Sequence, residues 1–370
     1  MRLSASRERI FGLDLMRALA IVLVFVGHCL WIYPNANPLM VSAFQVFAFL
    51  GVEVFFVLSG FLIGGILYRL YIEDDFKMKS VLFFLRRRWF RTLPAYYLVL
   101  LINIVITAYY GSVEANGWKY VLFLQNFNTA MPAFFPESWS LSVEEYSYLI
   151  LPFSLFIFGT LFKPVNRSRF FLLLVCALIL TSILAKLHFC NSSHHTDISQ
   201  WNASLKSVVI YRLDAIFIGV AFSWFAQNYQ SLWIRYRKIS ALTGCLYIGF
   251  LFVGVGYFRL LIDTQPFFWN VLYLPLVSMA IALFLPILSE WKMWELRFSK
   301  PITFISIISY SIYLLHYSVI LQLMKNSFQT ENTTGMQFHS FTIAYISVTL
   351  IMSYLLYRFF EKPIMDFRDK

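Results

Sequence analysis

The stretch Gly12-Leu-Asp-Leu-Met-Arg-Ala-Leu-Ala-Ile-Val-Leu-Val-Phe-Val-Gly-His28 decides how the rest of the chain is read. It is apolar enough to cross a bilayer as a helix, yet it carries Asp14, Arg17 and His28. Ionisable groups inside a membrane helix cost several kcal/mol, which makes all three functional candidates. Arg17 and His28 are 11 residues apart, and 11 steps of ~100° return to within ~20° of the same face. The rise between them is roughly 16 Å, about half the hydrocarbon thickness. The spacing therefore predicts a polar stripe running from near one surface deep into the membrane, with something long lying along it.

The surrounding composition agrees. Of 370 residues, 59% are hydrophobic and only 13% charged, with a mean hydropathy of +0.68. A soluble domain carries about twice that share of charge. The expected fold class is an all-α polytopic membrane protein, a single transmembrane domain over residues 1–370. Ten apolar segments account for it: 12–33, 42–68, 93–110, 140–162, 169–189, 206–227, 239–258, 268–289, 302–324 and 339–360. Positive residues alternate with them. One side holds the N-terminal arginines, the run from Arg69 to Arg91, the loops at Lys163, Arg235 and Lys292, and the C-terminal tail. The other side holds Lys119, Lys186, Lys206, Arg259 and Lys325. By the positive-inside rule both termini are cytoplasmic. The net charge of +11 is thus explained by topology and predicts no nucleic-acid partner. The outer loop 111–139, rich in aromatics such as Trp118, Phe127, Phe134, Phe135 and Trp139, is expected to lie on or dip into the membrane. Cys29, Cys176, Cys190 and Cys245 show no paired spacing, so no disulfide framework is expected. Cys190 with His194 and His195 lacks a second cluster at ligand spacing, and no metal is expected.

Several groups can do chemistry. Arg88 and Arg91, in the cytoplasmic run Phe84 to Pro94, share a helical face; guanidinium forks suit phosphates, and equally suit anionic lipid heads. His28 suits general-base work on a hydroxyl or amine, or a hydrogen bond within the bundle. Asp14 is placed to pair with Arg17. The second segment carries Glu53 and Ser59 on different faces, with Gly60, Gly64 and Gly65 permitting close approach. The fourth begins Ser138-Trp-Ser-Leu-Ser-Val-Glu-Glu-Tyr146. The sixth carries Tyr211-Arg-Leu-Asp214 at similar depth, so an interhelical pair between a glutamate of the fourth and Arg212 is one expectation. Ser309, Tyr313 and His316 form one polar face of the ninth, and Glu361 is expected to meet the arginine cluster.

Taken together, these motifs resemble the integral-membrane acyltransferase-3 family. The resemblance rests on Arg17 followed by His28, Gly51-Val-Glu-Val-Phe-Phe-Val-Leu-Ser-Gly-Phe-Leu-Ile63, Arg88-Trp-Phe-Arg91, Trp139-Ser-Leu-Ser-Val-Glu-Glu145, Tyr211-Arg-Leu-Asp-Ala215, Ser311-Ile-Tyr-Leu-Leu-His316 and Phe360-Glu-Lys-Pro363. It implies transfer of an acyl group, expected to be acetyl, from cytoplasmic acetyl-CoA or another acyl-CoA. The acceptor would be a hydroxyl of a lipid-linked or polymeric glycan, such as lipopolysaccharide O-antigen or exopolysaccharide, at the outer face of the plasma (inner) membrane. On this basis Arg17, Arg88, Arg91 and Ser59 are expected at the donor, and His28, Glu145 and Asp214 at the chemistry. Glu145 or Asp214 would orient the imidazole, and Ser59 or Tyr313 would steady the oxyanion. Tyr313, His316, Arg212 and Trp139 are the candidates for substrate binding. Direct transfer and a short-lived acyl-histidine are both compatible with these residues. Larger family members add a C-terminal esterase-like domain, which these 370 residues do not contain, so any second transfer step is expected to need a partner or to be absent. N-acylation of an amino sugar or amino acid and glycan transport are the competing readings; the lack of an internal repeat weakens transport.

Overall fold

Helix is the backbone's answer to a solvent without hydrogen-bonding partners, because it satisfies each N–H and C=O within its own segment. The computed structural model describes residues 9–73, 76–111, 116–192, 197–292, 299–327 and 335–368, and among these every regular element is helical. The ten principal helices are α1 (Phe11–His28), α2 (Pro38–Glu73), α3 (Met78–Tyr109), α4 (Ser138–Phe162), α5 (Arg167–Ser192), α6 (Leu213–Asn228), α7 (Arg237–Gly249), α8 (Leu274–Ala282), α9 (Ser299–Leu315) and α10 (Gly335–Leu356). Wider-wound turns extend α7, α8, α9 and α10 or lead into them. Counted with these extensions, nine helices among the described residues are long and apolar enough to cross a membrane. The exception is α6: its 16 residues rise about 24 Å, short of a ~30 Å hydrocarbon core.

Two boundaries and one loop depart from the sequence expectation. The third helix begins at Met78 rather than at 93, so Arg86 to Arg91 lie on a helix rather than in a connection. The sixth segment is broken between 202 and 212 by short turns, and its helix starts at Leu213. Its early part is pulled out of helical form by Asn126, whose Nδ2 donates to the Ser207 carbonyl at 2.6 Å while its own carbonyl accepts from Val209 at 3.0 Å. The outer loop also behaves differently. Trp118 is exposed, but Phe135, Phe123 and Trp139 are buried, and Phe123 stacks on Tyr96 at 4.5 Å. Much of the loop therefore folds back into the bundle as packing.

At 36 residues, α2 is the longest helix and the axis of the fold, packing against α1, α6 and α8. Two apolar clusters flank it, one around Phe56, Ile63 and Leu67, the other around Val57, Leu58 and Ile281. The crossing with α6 is close because both sides are glycine: a Cβ on Gly60 would overlap the Ile216 carbonyl, and one on Gly219 would overlap that of Val57. With lipid as apolar as leucine, such close backbone contact is a main source of helix association.

Candidate functional site

Helices α1, α2, α3, α4 and α9 enclose a cavity of about 110 Å³ whose lining includes Arg17, Ser59, Arg88, Arg91, Glu144 and Tyr313. The three arginines that the family resemblance grouped at the donor thus line one cavity. Arg91 is exposed, which puts it at the mouth. Arg88 lies over the rings of Tyr148 (5.6 Å) and Phe84 (5.9 Å). Neither Arg88 nor Arg91 has a salt bridge among the described residues, so their forks face the cavity with charge to spare. Arg17 reaches Ser306 Oγ at 3.3 Å and Asp14 Oδ1 at 3.4 Å. Asp14's closer cationic partner is Arg9, which donates to it through Nε at 2.8 Å and Nη2 at 2.9 Å.

Of the two adjacent glutamates, Glu144 lines the cavity; Glu145 turns to Thr92, whose hydroxyl donates to it at 2.9 Å. Tyr148 donates to Glu144 at 3.1 Å and meets Ser59 Oγ at 2.5 Å. The tyrosine has one proton, so Ser59 is the donor in the second bond. Tyr313 likewise donates to the Glu137 carbonyl at 3.0 Å, and Ser140 meets it at 2.5 Å. Both hydroxyls proposed for an oxyanion therefore have their protons committed.

His28 ends α1 and is not part of the cavity wall. Its partner is the other histidine of the sequence motifs: His316 Nε2 lies 3.0 Å from His28 Nδ1. His316 Nδ1 sits 2.8 Å from the Tyr313 carbonyl and 3.1 Å from that of Ile312. A carbonyl only accepts, so His316 carries its proton on Nδ1 and offers a lone pair at Nε2. His28 must then be protonated on Nδ1, which it shares between His316 and the Val24 carbonyl at 3.0 Å. Its Nε2 is left as the basic nitrogen, on a partly exposed side chain. His316 occupies this position at the start of a wider-wound turn, His316–Leu321, where α9 loses its regular register. Such bulges often mark functional sites.

Other expected partners fall elsewhere. Asp214 is bound by Lys186 on α5, and Arg212 by Glu53 on α2, all four fully buried. Glu53 also accepts from Ser278 at 3.1 Å. Asp214 and Glu145 therefore do not orient His28, and Arg212 pairs with the glutamate of α2 rather than one of α4. Lys186, counted from the sequence as an outer-side charge, is interior because Asp214 compensates it. Glu361 accepts from Ser311 at 2.6 Å and, among the described residues, makes no salt bridge with an arginine. Trp139 packs edge-on against Phe56 at 5.7 Å. His194 and His195 lie outside the described residues.

Glu137 escaped the sequence reading because it sits in a loop without periodicity. It is buried, and its Oε1 accepts from both the backbone N–H (3.0 Å) and the hydroxyl (2.6 Å) of Ser318, two residues after His316. Burial holds its carboxyl up to about 7, against hydrogen bonds that pull it down.

Residues 10–358 match the family model described as an acyltransferase domain. The chain is 27% identical to the O-acetyltransferase OatA of Staphylococcus aureus over 95% of its own length and 57% of that protein. It is 24% identical to the peptidoglycan O-acetyltransferase OatA of Listeria monocytogenes over 97% of its length and 56% of that protein. It thus spans little more than half the length of these curated relatives. No solved structure matches it. The match over nearly all the described bundle places the histidine pair and the arginine-lined cavity within one known domain: the chain belongs to the acyltransferase-3 family.

Proposed function

We propose that this protein is a membrane acyltransferase that moves an acyl group, expected to be acetyl, from an acyl-CoA entering on the cytoplasmic side to a hydroxyl of an extracytoplasmic glycan. The observation that carries this reading is the pairing of His316 with His28, which leaves Nε2 of a membrane-helix histidine as a base, one end of a helix whose other end supplies Arg17 to an arginine-lined cavity. The names of the relatives favour a cell-wall glycan as acceptor over O-antigen.

The donor supplies a thioester. Arg88, Arg91 and Arg17 bind its phosphates, bidentately where geometry allows. At the other end His28 Nε2 accepts the proton of the acceptor hydroxyl as that oxygen attacks the thioester carbon. The carbon–sulfur bond breaks, and the proton on His28 passes to the departing thiolate, releasing CoA and the ester. His316 holds the tautomer throughout.

Purified protein in liposomes tests this. CoA thiol release should require both acyl-CoA and glycan, and His28→Ala should lower it by about 10²–10⁴-fold, the usual worth of a positioned base. Full transfer by His28→Ala at wild-type protein level would remove the catalytic assignment. Glycan flux without CoA release would favour a transporter.

A further inference from the structure

Lys206 closes the short turn Asn202–Lys206 on the approach to α6. Its ammonium lies 5.6 Å from the ring centroids of both Phe49 and Trp139. Aromatic faces attract a cation without neutralising it. Among the described residues Lys206 has no hydrogen bond and no carboxylate partner. Glu53 lies within electrostatic reach but is bound to Arg212 and Ser278, and Asp214 is bound to Lys186. Lys186, Lys206 and Arg212 therefore outnumber Glu53 and Asp214 by one charge. Uncompensated charge in such surroundings is costly and draws an anion. Lys206 is also partly exposed, so a ligand can reach it; Trp139 beneath it is followed by Ser140, which meets Tyr313 at 2.5 Å, and the Tyr313 ring lies 5.8 Å from that of His316, the partner of His28.

We propose that Lys206 is an anion-recognition residue for the acceptor, taking a carboxylate of the glycan and so presenting a nearby hydroxyl to His28. The inference rests on the acyl-transfer reading above. The donor's phosphates are the lesser match, because the cavity arginines do not share a wall with Lys206, and Arg17 stands roughly 16 Å down the helix from His28.

The test uses N-acetylmuramic acid, an amino sugar with a carboxylate, and its neutral carboxamide, titrated against the full chain in detergent. Wild type should bind the acid about tenfold more tightly than the amide, a difference of about 1.4 kcal/mol. Lys206→Met should lose that preference while binding the amide as wild type does, and Lys206→Arg should keep it. Equal affinities in wild type, binding of neither sugar, or a preference that survives in Lys206→Met would each overturn the proposal. Acceptor-dependent CoA release in the same samples reports separately on acyl transfer. A preference for the acid without CoA release would leave the anion site standing and remove the reaction from it.

Discussion

His28 and His316 show how a second side chain decides what the first can do. His28 alone has two tautomers; His316, tied by its own Nδ1 to the Tyr313 and Ile312 carbonyls, selects the one with a basic Nε2. Replacing His316 by Phe removes the acceptor and frees the ring. Transfer should fall about 10²-fold or more, as expected when a base is left in the wrong tautomer, while donor affinity stays within about twofold. His316→Gln, which still offers an acceptor, should recover part of the rate; equal losses in both variants would mean the histidine only packs. The arginines make a separate prediction. Arg88→Ala and Arg91→Ala should each weaken CoA binding, and the loss should shrink as salt rises, because exposed charges are screened. Unchanged affinity would reduce them to topology signals.

At the scale of elements, the wide turn after α9 depends on a loop residue, Glu137, through Ser318. Its carboxyl is held up to about 7 from an ordinary 4.5. Between these values the folded chain keeps a proton that the unfolded chain has released, so stability from this group is present at low pH and is withdrawn as pH rises through the window. Thermal stability of the detergent-solubilised protein should decline from about pH 5 to about pH 8, and Glu137→Gln should flatten that part of the slope; an unaltered slope would exclude Glu137 as its source. The crossing of α2 and α6 makes a steric prediction. Gly219→Leu would drive a side chain into the backbone at Val57, and overpacking of this kind costs about 1–3 kcal/mol or more. Thermal melts should show the loss, and a neutral result would mean that the helices can separate there freely.

Across the whole molecule, charge is sorted by compensation. Among the described residues two fully buried pairs, Glu53 with Arg212 and Asp214 with Lys186, join α2 to the start of α6 and α5 to α6. Breaking one by Glu53→Ala would strand a buried guanidinium, at a cost of about 3–5 kcal/mol. The expected readout is loss of monodisperse protein on size exclusion, with less loss in a Glu53→Gln variant that keeps a hydrogen bond.

What could be read without coordinates was what periodicity and charge spacing encode. Long apolar runs have one stable form in lipid, so helical class and most boundaries were legible. Arg88 and Arg91 were legible as a pair because helical geometry puts residues three apart on one face, while the ordered motifs, which pointed to the family, were what grouped Arg17 with them. The partner of each charge was not. Arg212 chose Glu53 over Glu144 or Glu145, Asp214 chose Lys186, and His28 chose His316. These choices join residues between 28 and 288 positions apart, and no local pattern records how two helices are rotated against each other. Tertiary packing sets that rotation, and with it the nitrogen of His28 left free for chemistry.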